Sequence, residues 1–152
     1  MRKALCLIFA LLLLGGCTTV TVGNYIRSDH PYTKKIYGDY DKIVETIRQV
    51  LAKNGYKVIL ESYPSVYERP VDAHQETPKD VLLFTEIRQH SMVLYSSYTH
   101  LNVYIRSVVE GAEVEVRFGK VTSFFIKQFQ STRDDQLGKN ILDQIERAML
   151  VN

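Results

Sequence analysis

Cysteine is scarce in this chain of 152 residues: Cys6 and Cys17 are the two it has. No Cys-x-x-Cys redox or metal motif can be built from them. Neither a Gly-rich phosphate loop nor a Gly-x-Ser-x-Gly nucleophile turn occurs. Histidine is sparse too. His30, His74, His90 and His100 are never three or four residues apart, as a helical metal site would require. A Ser-His-Asp set can be drawn from many residues here and so carries no weight. No catalytic residue, metal ligand or cofactor is therefore expected, and the chain reads as a non-enzyme. A charge surplus is also missing. Two of the 19 Lys and Arg residues, Arg2 and Lys3, fall in the first 16 positions, leaving 17 against 17 Asp and Glu. A nucleic-acid binder normally needs a basic excess in its folded part, so no nucleic-acid partner is expected.

Long apolar runs are absent as well. Ala4 to Leu14 is an apolar run of 11 residues, whereas a membrane-spanning helix needs roughly 20. Behind Arg2 and Lys3, such a run matches the apolar region of a secretory signal peptide. It ends in Leu14-Gly15-Gly16-Cys17. This stretch resembles the lipobox of bacterial lipoproteins, with Gly15 where Ala or Ser is commoner. The resemblance implies that the Cys17 thiol receives a diacylglyceryl group, that a peptidase cuts just before it, and that the new amino terminus is acylated, with palmitate among the chains. Small residues at 15 and 16 suit a narrow cleavage site. Cys6 leaves with the leader, so Cys17 keeps no disulfide partner. One acyl chain binds a membrane only marginally; two or three hold a protein stably. Thr18 follows the cysteine where an Asp would favour inner-membrane retention, so the resemblance implies the outer membrane, facing the periplasm.

The chain divides into a signal peptide at 1–16, a lipidated tether at 17–31 without strong periodicity, and one domain at 32–152. Asp39 or Asp41 caps a helix whose stripe is Ile43, Val44, Ile47, Val50 and Leu51, and Asn54-Gly55 ends it. A strand is expected over Tyr56–Ser62. A loop holding Pro64, Pro70 and Pro78 runs over Tyr63–Asp80, long enough to be a candidate contact surface. Strand-like runs follow at Val81–Arg88, at Met92–Ser107 with a break near Ser96-Ser97, and at Ala112–Val121. Thr132 with Asp135 resembles a capping box for a second helix through Leu137, Ile141, Leu142, Ile145, Ala148 and Met149. With a short first strand at Thr33–Tyr37, the order is βαββββα. The fold class expected is α+β: a two-layer sandwich, an antiparallel sheet of four to five strands with two helices on one face. Tyr37-Gly38-Asp39-Tyr40, then a helix ending Asn54-Gly55-Tyr56-Lys57-Val58, is similar to helix-grip-like domains of periplasmic lipoproteins, the BamC type among them. The likeness covers pattern and element order, and no functional residue transfers with it.

A turn centred on residues 109 and 110 would set Arg106 opposite Glu113, Tyr104 opposite Glu115 and Asn102 opposite Arg117, with Tyr98 and His100 nearby. These eight residues form the candidate binding surface on the expected wet face of the sheet. The competing reading is cross-strand pairing that keeps an exposed face soluble. The ten tyrosines divide similarly, between half-buried sheet positions and a platform for sugar or peptide. Phe124, Phe125, Ile126 and Phe129 cross the edge of the core or form a docking patch. The function expected is a membrane-anchored periplasmic lipoprotein, a non-enzymatic envelope component with a protein partner. The alternative is a binding module for a small lipid or cell-wall ligand.

Overall fold

The computed structural model describes residues 20–27, 31–67, 79–124 and 127–151. The leader, Cys17, His30, Pro70, His74, Pro78, Phe125 and Ile126 lie outside the described residues. Strand β1 (Tyr32–Tyr37) enters helix α1 (Tyr40–Lys53) through Gly38, whose φ is 136°. That backbone conformation calls for glycine, whereas the nearest atom to a Cβ there, Met149 Cε at 2.8 Å, is the movable end of a flexible side chain. The Asp39 carboxylate accepts the Lys42 N–H at 3.0 Å and caps the helix. At the other end Gly55, with φ 79°, donates to the Ala52 carbonyl, and Tyr56 donates to that of Leu51. Leu51 and Tyr56 are both buried, which completes a Schellman stop. Ile43, Ile47, Val50 and Leu51 of the expected stripe are buried.

The remaining strands are β2 (Val58–Ser62), β3 (Val81–Thr85), β4 (Arg88–Ser91), β5 (Tyr95–Val108), β6 (Gly111–Phe124) and β7 (Lys127–Ser131). All pairings are antiparallel, in one seven-stranded sheet. Its spine is the β5–β6 ribbon, in register from Tyr95↔Phe124 to Val108↔Gly111. Near the Val109-Glu110 turn, β1 flanks β6, while β3 and then β2 flank β5. At the far end β4 flanks β5 and β7 flanks β6. Helix α2 (Asp135–Val151) closes the chain. Ile141, Leu142 and Ile145 of α2 join the α1 stripe against Leu101, Val103, Ile105, Ala112, Val114, Val116 and Phe118 of the ribbon. Both helices thus cover one face, and the class is α+β. Side chains between the layers are packed to near-zero exposure.

The sheet has more strands than the four to five expected, and the reason is local. Every residue of β4 (Arg-Gln-His-Ser) and β7 (Lys-Gln-Phe-Gln-Ser) is exposed, so neither shows a buried alternation. Pairing to the ribbon makes them strands, and together the four form an arm reaching past the core. The run Val81–Arg88 therefore ends at Thr85. The expected break at Ser96-Ser97 is instead a turn before Tyr95, after which β5 is continuous. The cap of α2 also differs: Asp134, in place of Thr132, accepts the Leu137 N–H at 2.9 Å. Asp135 pairs with Arg133 at 2.8 Å and with the Tyr32 hydroxyl.

Candidate functional site

The face of the ribbon away from the helices carries the eight residues singled out above. Their register is the expected one: Arg106↔Glu113, Tyr104↔Glu115 and Asn102↔Arg117. Their environment is different. His100, Asn102, Tyr104 and Arg117 are buried, and the middle of the face is not wet. Residues 24–26, within the stretch read as a tether, lie across it. Ile26 N–H donates to Asn102 Oδ1 at 2.7 Å, and Asn102 Nδ2 donates to the Asn24 carbonyl at 3.0 Å. One side-chain amide thus satisfies two backbone groups of a crossing strap, as a neighbouring strand would. Ile26 is 5% exposed. It fills the space left by Gly119, where a Cβ would come within 3.0 Å of Ile26 Cδ1 and 2.7 Å of His100 Cε1.

Tyr25 is held from two sides. Its ring stacks on Tyr67 at 5.5 Å, and Tyr67 tilts against Phe84 at 4.9 Å. Arg117 Nη1 donates to its hydroxyl at 3.0 Å, while Arg117 Nε pairs with Glu115. Tyr104 sits lower on the face with its hydroxyl toward buried Asp80, which also accepts the Ser107 N–H at 3.0 Å. Arg106 and Glu113, 3.3 Å apart, stay half exposed. Tyr98 is partly buried. The cross-strand register is the expected one, whereas the expected wet surface is covered in its middle by residues 24–26.

His100 is the anomaly of the face. It is 3% exposed, and neither ring nitrogen has a hydrogen-bond partner among the described residues. Burial pushes its pKa below the ordinary imidazole value, and the Gly23 backbone, near the ring but outside hydrogen-bond geometry, offsets part of that. The ring is neutral in the folded state at neutral pH.

Clefts lie on the outer surface. One of about 570 Å³ runs between the helices past Thr46, Gln49, Lys53, Gln144 and Arg147. Another of about 450 Å³ separates β1 from α2. It holds Asp135, kept at about 2 by Arg133 and the Tyr32 hydroxyl, and Asp143, lowered by Lys34. Both carboxyls are held ionised, which suits pairing more than proton transfer near neutrality. Among the described residues no three His, Cys, Asp or Glu side chains gather as metal ligands, and no helix is long and apolar enough to cross a membrane.

Exposed apolar side chains concentrate in two places. The first is β2, the last strand on its side of the sheet, where Ile59 and Leu60 are 55% and 44% exposed. Tyr63 and Val66 continue it into the Pro64–Val66 turn. The second is the free end of the arm, with Met92, Val93, Leu94, Phe124 and Phe129. Phe124 and Phe129 are exposed, so the core-edge reading of that run is wrong for these two. No protein-family model matches this chain, and no curated protein sequence matches it.

Proposed function

We propose that this protein is a lipid-anchored component of a bacterial envelope, held through Cys17 at the periplasmic face of the outer membrane and working by protein contact. The leader and Leu14-Gly15-Gly16-Cys17 support the anchor. The β2 edge carries the partner. An edge strand offers a row of unpaired backbone groups, and folded proteins usually blunt it with charge, proline or a cover. Here apolar Ile59 and Leu60 stand beside an ion pair from Glu61 to Arg48 of α1. Ile59 and Leu60 are each about half exposed, so burying the rest under an added strand contributes on the order of 1 kcal/mol each, and the new ladder sets the register. The layer between sheet and helices is close-packed, with Ile43, Ile47, Val103 and Ile145 all at 0% exposure, which counts against a ligand held there.

A photo-crosslinking amino acid in place of Ile59, in cells of the native host, tests this. The expected product is one discrete protein adduct, missing when the same residue replaces Lys139 on α2. Identical, diffuse products from both positions would defeat the reading.

A further inference from the structure

The β4–β5 turn and the last residue of β6 meet at the free end of the β4–β5–β6–β7 arm. Strand β4 returns to β5 through Val93-Leu94, closed by a 2.8 Å bond from Met92 N–H to the Tyr95 carbonyl. Strand β6 ends at Phe124, the register partner of Tyr95. Short hairpin turns favour Asn, Asp and Gly, which suit both their backbone and water. This end instead shows Met92, Val93 and Leu94 at 57%, 101% and 56% exposure, with Phe124 at 42% beside them. None of the four belongs to a core cluster, so the fold does not need them apolar. No Asp or Glu occurs at 88–99, 119–124 or 127–131, whereas Lys120 and Lys127 lie on the arm.

Chain length says which end of the ribbon can face a bilayer. The Gly23 backbone lies against His100. Cys17 is six residues earlier, within about 20 Å of fully extended chain. His100 is five residues from Tyr95 at the arm tip, roughly 17 Å, and nine from Val109 at the opposite turn, roughly 30 Å. Cys17 therefore reaches the level of the tip and falls short of the other end.

We propose that the arm tip is a membrane-seating surface: Met92, Val93, Leu94 and Phe124 dip into the headgroup region of the bilayer that holds the Cys17 lipids. Lys120 and Lys127 face the phosphates of anionic headgroups. The proposal rests on the reading of Cys17 as lipidated. Two attachments, one covalent and one by insertion, fix the orientation of the domain and hold its body, with the β2 edge, away from the lipid.

The test uses the mature protein purified from host membranes and reconstituted in vesicles of phosphatidylethanolamine and phosphatidylglycerol. An environment-sensitive fluorophore is placed at Val93→Cys or, as reference, at Val109→Cys, which is 82% exposed at the opposite turn. Acylation blocks Cys17, so labelling is selective, and neither side chain supports the core. Lipids brominated on their acyl chains are expected to quench the probe at 93 roughly twofold or more and to leave 109 unchanged, as for apolar groups seated 5–10 Å deep. Equal, unquenched emission from both positions overturns the proposal. Shielding of position 93 in intact cells without quenching in vesicles assigns the tip to a protein and overturns it too. The mass of the Cys17 peptide is read separately. A peptide without acyl groups removes the anchor itself, whereas an acylated peptide with an unquenched probe refutes only the seating.

Discussion

Replacing Asn102 by Ala isolates the strap from the rest of the fold. Asn102 is fully buried and gives the strap two hydrogen bonds, to Ile26 N–H and to the Asn24 carbonyl. Each contributes about 1 kcal/mol net. Burial of Ile26 adds about 1.5–3 kcal/mol. Against these stands the ordering of three backbone residues, about 1–2 kcal/mol each. These terms nearly cancel, and the Tyr25 stack on Tyr67 with its hydrogen bond from Arg117 adds the margin that holds the strap down. Loss of about 2 kcal/mol multiplies local opening by roughly 30. A strap that stayed down would leave the buried Ile26 N–H unpaired, which costs as much or more. In Asn102→Ala the Ile26 amide is therefore expected to exchange its hydrogen roughly 30-fold faster. Amides of the core strands, such as those of Val103 and Val114, keep their protection relative to global stability. Unchanged exchange at Ile26 would refute the clamp. Parallel loss of protection at Val103 and Val114 would show that the strap is part of the core and refute its independence.

Other perturbations have equally definite signs. Glu110 sits in the left-handed region with φ 66°, so Glu110→Gly relieves backbone strain and raises stability by about 1 kcal/mol, read from the urea midpoint. Ile145→Ala empties a site between α2 and the sheet that is 0% exposed; a loss of about 2–5 kcal/mol is expected from the same titration. His100 gives a pH dependence. Its folded pKa lies below the ordinary value, so as pH falls below about 6.5 the unfolded chain binds the proton first and stability declines; above that pH the contribution is flat. His100→Leu should reduce that decline in urea titrations at pH 7.5 and 5.5, and an identical decline in both proteins would exclude His100 as its source.

The helices are legible in the sequence because their signals are local. Asp39, the Ile43–Leu51 stripe and Asn54-Gly55 each act within a turn or two of chain. The ribbon register is legible once the turn is centred on Val109 and Glu110. The strap is not, because Asn24-Tyr25-Ile26 has no period and its partners are about 76 to 92 residues away in sequence. Two residues do carry a trace of it. Asn102 interrupts Leu101 and Val103 in mid-strand, where a polar side chain needs a buried partner. Gly119 interrupts β6, and a glycine inside a strand often marks close approach by another segment. The arm is hidden for the opposite reason. Its outer strands are exposed on both faces, and its apolar turn, Met92-Val93-Leu94, looks like strand because it lacks the usual turn residues.

Anchoring, seating and envelope location all depend on the chemical state of Cys17. Mass spectrometry of the amino-terminal peptide of the protein extracted from host membranes measures it directly. The predicted result is a peptide that begins at Cys17 and carries a thioether-linked diacylglyceryl group and an amide-linked acyl chain. A peptide that retains Leu14-Gly15-Gly16 ahead of a free Cys17 thiol would contradict it.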